Sequence, residues 1–205
     1  MIKKFIFISY LIFFSFLIQN CGFNTIQELD EQVKADMAEI LNQYKRRADL
    51  IPSLVKVVEG YSNFEKNVLT DVTRARGNVG GLSATPEIIN NPEEFQKFQH
   101  AQNQLGSALQ RLLVVVEKYP DLKANQNYSD LQAQIEGTEN RIAIARRNYI
   151  KSVQAYNTYI RKIPGVIWAG FFGYSVKSSF VVENEDEILK MDKSISKPPE
   201  IQFEK

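Results

Sequence analysis

The sequence predicts an all-α protein, a long-helix antiparallel up-and-down bundle of three to four helices whose first helix is kinked at Pro52. Two observations carry this reading. Apolar residues recur every three or four positions over three long stretches, the period of a helix that buries one face. Glycine and proline collect between those stretches, where they punctuate the chain. A length of 205 residues suits one ordinary domain. The boundaries fall at a leader or anchor over 1–20, a bundle domain over 21–182 and a mobile acidic, proline-containing tail over 183–205.

The leader opens with Lys3 and Lys4, followed by an apolar run from Phe5 to Ile18. That run is short against the roughly 20 residues that span a bilayer and suits a secretory leader. Basic residues ahead of it stay cytoplasmic, so the body is expected on the extracytoplasmic side, periplasmic or outer. Leu17-Ile18-Gln19-Asn20-Cys21 resembles a lipobox, in which the cysteine thiol is acylated and carries the anchor. Asn20 departs from the small residue usual at that position, so an uncleaved signal helix stays open as the other anchor. Cys21 is the single cysteine, which rules out an intramolecular disulfide.

The first helical stripe runs through Ile26, Leu29, Val33, Met37, Ile40, Tyr44, Ile51, Leu54, Val58, Tyr61, Val68 and Val72, and stops where Gly77, Gly80 and Gly81 collect. A flexible loop is expected from there to Asn91. The heptad row Ile26, Val33, Ile40, Arg47, Leu54, Tyr61, Val68, Ala75 passes through Pro52 in register, which favours a kink over a hairpin. A continuous first helix would rise on the order of 75 Å from the membrane. The second helix opens at Asn91-Pro92, with asparagine as cap and proline in the first turn. It buries Phe95, Phe98, Gln102, Leu105, Leu109, Leu112 and Val116 until Pro120 ends it. The third is expected to begin near Ser129 as cap, with Gln132 at capping-box spacing. Its seam is Tyr128, Ile135, Ile142, Tyr149, Tyr156 and Ile163, with Leu131, Thr138, Ala145 and Ser152 as companion row.

With three long helices, the apolar segment 163–174 would sit at the end of the bundle far from the membrane; a hairpin at Pro52 would return it. It reads in three ways: as a plug over the open end of the core, as a surface for a partner or lipid with Ile167, Trp168, Phe171 and Phe172 as contacts, or as a second membrane insertion.

Arg47 occupies a seam position, and a guanidinium turned into a bundle needs a carboxylate or carbonyls around it. Glu139, beside Thr138 on the third helix, is the expected partner in a structural ion pair that fixes register. Arg46, Arg141, Arg146 and Arg147 share their helices with Asp49, Glu136 and Glu139 and read as pairing residues.

Several independent motifs resemble the LemA family. The clearest is Asn42-Gln43-Tyr44-Lys45-Arg46-Arg47-Ala48-Asp49-Leu50-Ile51-Pro52, and a second is Thr138-Glu139-Asn140-Arg141-Ile142-Ala143 with Ala145-Arg146-Arg147 and Tyr149. Others are Cys21-Gly22-Phe23-Asn24, Gly60-Tyr61, Leu122-Lys123-Ala124-Asn125 and Pro199-Glu200-Ile201-Gln202-Phe203, so nearly the whole mature chain is covered. Phe23 and Lys45, where the family more often has tyrosine and glutamine, are departures. The resemblance implies a helical bundle with an N-terminal membrane anchor and no established biochemical activity, hence no catalytic residues to carry over. It also implies genomic neighbourhoods with membrane proteases and other membrane proteins.

Composition narrows the function classes. The net charge of +1 falls to about −1 without Lys3 and Lys4, which does not invite nucleic acid. The one histidine, His100, follows Lys97 at i+3, so the Glu-x-x-His pairs of di-iron bundles are absent, and no cofactor or metal is expected. Glu136 and Glu139 lie one turn apart with no second acidic cluster facing them. Gly77 to Gly81 lacks the strand, lysine and spacing of a phosphate cradle. No enzymatic activity is expected. The leading expectation is a membrane-tethered extracytoplasmic scaffold or interaction protein of the bacterial envelope, whose partners are the membrane and other envelope proteins. The alternative is a membrane-active, transport-accessory or protease-accessory protein using 163–174, and a hydrolase is a distant third.

Overall fold

The computed structural model describes residues 10, 23–61, 64–82 and 85–180. The expected leader apart from Tyr10, the expected anchor residue Cys21 and the expected tail over 183–205 lie outside the described residues. Among the described residues all regular structure is helical, and no helix is long and apolar enough to cross a membrane.

Helix α1, Phe23–Glu59, passes through Pro52 without ending. Ile26, Val33, Met37, Ile40, Tyr44, Ile51, Leu54 and Val58 are all buried along one face. Pro52 lies on the exposed face, so the backbone bond that it removes is one beside solvent. The carbonyl deprived of its partner is that of Ala48, four residues earlier. Arg76 repairs this: its Nε donates to the Ala48 carbonyl at 3.0 Å from a neighbouring helix.

That neighbour corrects the sequence reading. The stripe read as one helix from Ile26 to Val72 is two, because the chain reverses after Glu59, and Val68, Val72 and Ala75 reach the core from α2, Lys66–Gly80. Heptad phase survives the reversal, so periodicity alone reads straight through it. A straight helix would carry Val68, Leu69 and Val72 beyond any partner, whereas folding back buries them, with Phe64 packing on Tyr119 at 5.1 Å. With α1 at 37 residues, the rise is about 55 Å rather than about 75 Å.

Helix α2 continues through Gly77 to Gly80. Much of the expected loop is ordered: Pro86–Asn90 forms a 3-10 turn, η1, that buries Ile88 and Ile89. Helix α3, Pro92–Val116, starts at Asn91, whose side chain accepts from the Glu93 and Glu94 amides at 3.1 and 3.3 Å. The expected face is buried, from Phe95 to Val116. A single turn, α4, Pro120–Lys123, leads to α5, Gln126–Tyr159. Its cap is Asn125, accepting from the Tyr128 amide at 3.2 Å, not Ser129, which is exposed one turn inside; Gln132 bonds Glu136 instead. The earlier asparagine wins because its side chain reaches the first free amides.

The four long helices alternate in direction, and α5 runs antiparallel along α1. Ile26 shares one core with Tyr156 and Ile160; Ile51 shares another with Tyr128 and Ile135. The close approach is permitted by Thr138, Ala145 and Ser152, all buried, with the two hydroxyls bonded to the carbonyls of Gln134 and Tyr149. Short α6, Gly165–Phe172, follows and packs beside the start of α1. The segment expected at the far end of the bundle therefore lies at the end where α1 begins, because the reversal after Glu59 adds one antiparallel pass.

Two substitution sets test this architecture. Arg76→Ala is expected to destabilise by about 1 kcal/mol in chemical denaturation, the worth of a typical hydrogen bond. In a Pro52→Ala background the same change should cost little, because the Ala48 carbonyl regains a helical donor; equal costs in both backgrounds would refute the repair. Gly165 has no room for a side chain: a Cβ there would collide with the Tyr159 carbonyl and lie 2.8 and 2.9 Å from its ring carbons. Gly165→Ala should lower stability by about 1–3 kcal/mol, whereas Gly77→Ala, where a Cβ meets nothing, should raise it by about 0.5–1 kcal/mol.

Candidate functional site

The heptad phase that buries Ile40 and Leu54 also turns Arg47 inward, and the side chain is only 3% exposed. Its Nη1 donates to Glu139 Oε1 on α5 at 2.8 Å. Nη2 donates to the Gln102 carbonyl at 3.1 Å and to Gln102 Oε1 at 2.6 Å on α3. One guanidinium thus joins three helices. The Tyr44 ring lies 5.1 Å away, close enough for a cation–π contact. Tyr44 packs edge-on against Phe98, and burial pushes its phenol pKa up.

This polar layer separates the two cores. A groove of about 650 Å³ opens over it, lined by Gln102, Asn103, Gly106, Gln110, Glu139 and Arg146 among others. Gly106 faces the guanidinium, with room for a Cβ in ordinary contact 3.5 Å from Nη1. Glu139 is not sealed in: 41% of its side chain is exposed. The pair is therefore unequal, a desolvated cation facing a solvated anion. Arg47 Nε is buried and has no hydrogen-bond partner, so the layer is not fully satisfied.

The second polar assembly fastens the chain after α6. Residues 174–180 cross the end of the bundle, and Tyr149 and Tyr156 donate from the α5 seam to the carbonyls of Ser178 and Ser175 at 2.5 and 3.2 Å. Asn157 donates to the Lys177 carbonyl and accepts from its amide, at 3.0 and 2.9 Å. Lys177, 5% exposed, pairs with Asp30 on α1 at 2.5 Å and reaches Asn90 at 3.2 Å. Phe180 packs on Phe95 and Tyr149, with Arg146 4.4 Å above its ring. Burial pushes the Tyr156 phenol up to about 12.

Along α6, Trp168 is half-buried against the core beneath, and Ala169 is buried. Ile167, Phe171 and Phe172 are exposed, at 62%, 79% and 49%. The segment is thus covering and exposed surface at once. Arg46, Arg141 and Arg147 are exposed, as is His100. Among the described residues no group of three or more His, Cys, Asp or Glu side chains is placed to hold a metal ion.

The sequence reading named Arg47 and Glu139 but assigned Gln102 no role and missed Asp30 and Lys177. Gln102 had a signal, a polar residue between Phe98 and Leu105 on a buried face. Lys177 had one too, a lone cation between Val176 and Phe180.

A family model, described as the LemA family, matches residues 36–203. Magnetosome protein MamQ 2 of Paramagnetospirillum magneticum (strain ATCC 700264 / AMB-1) is 25% identical over 158 residues, covering 69% of this chain and 58% of that protein. Magnetosome protein MamQ of Magnetospirillum gryphiswaldense is 26% identical over 159 residues, with 70% and 57% covered. Protein LemA of Metamycoplasma hominis is 29% identical over 116 residues, with 57% and 48% covered. The chain spans about half the length of the curated relatives that it matches.

The unequal exposure of the Arg47 pair sets an order of mutational cost. Glu139→Ala strands a buried cation and should cost about 2–4 kcal/mol, whereas Arg47→Met leaves a carboxylate that water can reach and should cost about 1–2 kcal/mol. Urea denaturation of both variants checks this; the reverse order would mean that Glu139 is the desolvated partner. A second prediction concerns acid. Burial pushes the Asp30 carboxyl up, but hydrogen bonds from Lys177 and Lys34 and their charges outweigh it, so its pKa lies below the ordinary value. A depressed folded pKa contributes stability that is fully present above the unfolded carboxylate value of about 4 and is lost as pH falls through the folded one. Asp30→Asn should therefore melt lower than wild type at pH 7, with the gap closing below about pH 4; a gap independent of pH would exclude a charged pair.

Proposed function

The chain belongs to the LemA family, and on that premise we propose that it is a membrane-tethered, extracytoplasmic scaffold or interaction protein of the bacterial envelope that catalyses no reaction of its own. The observation that carries the proposal is where the buried polar groups point. Arg47, Gln102, Thr138, Ser152 and Lys177 direct their hydrogen bonds to the protein's own helices and end strap. Such groups fix shape, whereas a catalytic site presents groups that converge on a space for substrate. The curated relatives support the same reading, since their names give a magnetosome or the family and no reaction.

The tether rests on the sequence: an apolar run behind two lysines, followed by Cys21 at lipobox spacing. From it, α1 and α5 would carry side surfaces about 50 Å out from the bilayer. Val114 on α3 and Ile144 on α5 are large apolar side chains on the sides of the bundle, 63% and 42% exposed. They are sensible places for a partner to dock.

Photo-crosslinkers at Val114 and Ile144 of the full chain in its own membranes should capture a discrete protein adduct from at least one position. Absence of protein adducts at both would count against the scaffold reading. Metabolic labelling with an alkynyl fatty acid should mark the wild-type chain and spare Cys21→Ser; label on neither would leave the uncleaved leader as the anchor.

A further inference from the structure

We propose that the α6 end of the bundle is a lipid-contact surface, lying in the interfacial zone of the same bilayer that holds the leader and fixing the bundle at a second point. The proposal rests on the tether reading above. Six of the ten large apolar side chains that the described residues expose belong to this one segment: Ile163, Val166, Ile167, Phe171, Phe172 and Val176. Ile167 and Phe171 are one helical turn apart on α6 and line one outward stripe, at 62% and 79% exposure, and Ile163, just ahead of the helix, is 83% exposed. Exposed apolar surface gathered in this way marks a contact site.

Position and charge select the occupant. Ile26 of α1 and Ala169 of α6 share one core, so the stripe is at the end where α1 begins. Only residues 19–22 separate the apolar leader run from α1, and four residues reach about 14 Å at full extension. A tethered bundle therefore cannot hold this end far from the bilayer. Arg161 and Lys162 are exposed beside the stripe, and no acidic residue occurs from 161 to 180. Aromatic and aliphatic side chains flanked by cations match acyl chains beneath anionic headgroups. An eight-residue helix is about 12 Å long, too short to span, so it lies along the interface. Lys177 does not contribute charge to the surface, because Asp30 neutralises it inside.

Trp168 is the single tryptophan of the chain and sits on α6 between this stripe and the core, so its fluorescence reports on this surface alone. The full chain is reconstituted into phosphatidylcholine vesicles brominated on the acyl chains, with and without phosphatidylglycerol, and vesicle attachment is read by flotation. Expected are flotation, loss of most Trp168 emission to the bromines, and stronger loss with phosphatidylglycerol. Ile167→Asp combined with Phe171→Asp should still float by the leader but recover the emission, with helicity by circular dichroism unchanged. Should that pair disturb folding, Ile163→Asp, outside the helix, gives the same reading. Flotation with emission indifferent to bromine would overturn the lipid contact while leaving the tether intact, and would turn attention to a protein partner on the stripe. Failure to float would overturn both.

Discussion

One buried guanidinium organises this molecule. Arg47 stands where the apolar seam of α1 would be continuous, and its donors reach α5 through Glu139 and α3 through Gln102. Apolar seams tolerate a helix sliding by a turn, since one aliphatic side chain replaces another at little cost; a desolvated cation does not. Any slip of α3 or α5 would leave the charge without its acceptors. The layer therefore sets the axial register of three helices, and the two cores on either side can be filled by ordinary aliphatic and aromatic residues.

The end of the bundle shows a second use of polar seam positions. Tyr149 and Tyr156 look like weak choices for a helix seam, yet their hydroxyls, together with Asn157, hold the strap over 174–180 in place. Lys177 then ties that strap to the first turns of α1 through Asp30. The consequence is mechanical. The end bearing α6 is fastened to the first turns of α1, so the exposed stripe has a fixed orientation relative to that helix. A lone anchoring segment would leave a rod free to swing about its attachment, whereas a second lipid contact at the base would restrain it. On the proposed scaffold role, a restrained axis would reduce the orientational freedom lost on binding a partner.

Family membership and physical reading bear on different levels. The matched region spans 36–203, which includes every long helix except the start of α1, and the motif running from Asn42 to Pro52 is where both meet. Arg47 within it builds the register layer. Pro52, at its end, removes a backbone donor, and Arg76 on α2 answers the carbonyl left behind. The motif is thus accounted for by packing and hydrogen bonding inside the bundle.

From the sequence alone came the helical class, the buried faces of α1 and α3 and that of α5 as far as Tyr156, the cap at Asn91 and the pairing of Arg47 with Glu139 as an expectation; Ile163, read as the last seam residue, lies past the end of α5 and is exposed. These follow from local periodicity and residue chemistry, which a linear string records. Tertiary structure decided the rest. Whether the helical stripe past Glu59 ran on or folded back could not be read, because heptad phase is preserved across the reversal after Glu59. That single reversal moved α6 from the far end of the bundle to the end where α1 begins. Likewise Lys177 reads as a surface cation until Asp30, 147 positions earlier, is brought to within 2.5 Å. Partners so distant in sequence leave no periodic signature, and only the packed fold determines which of them meet.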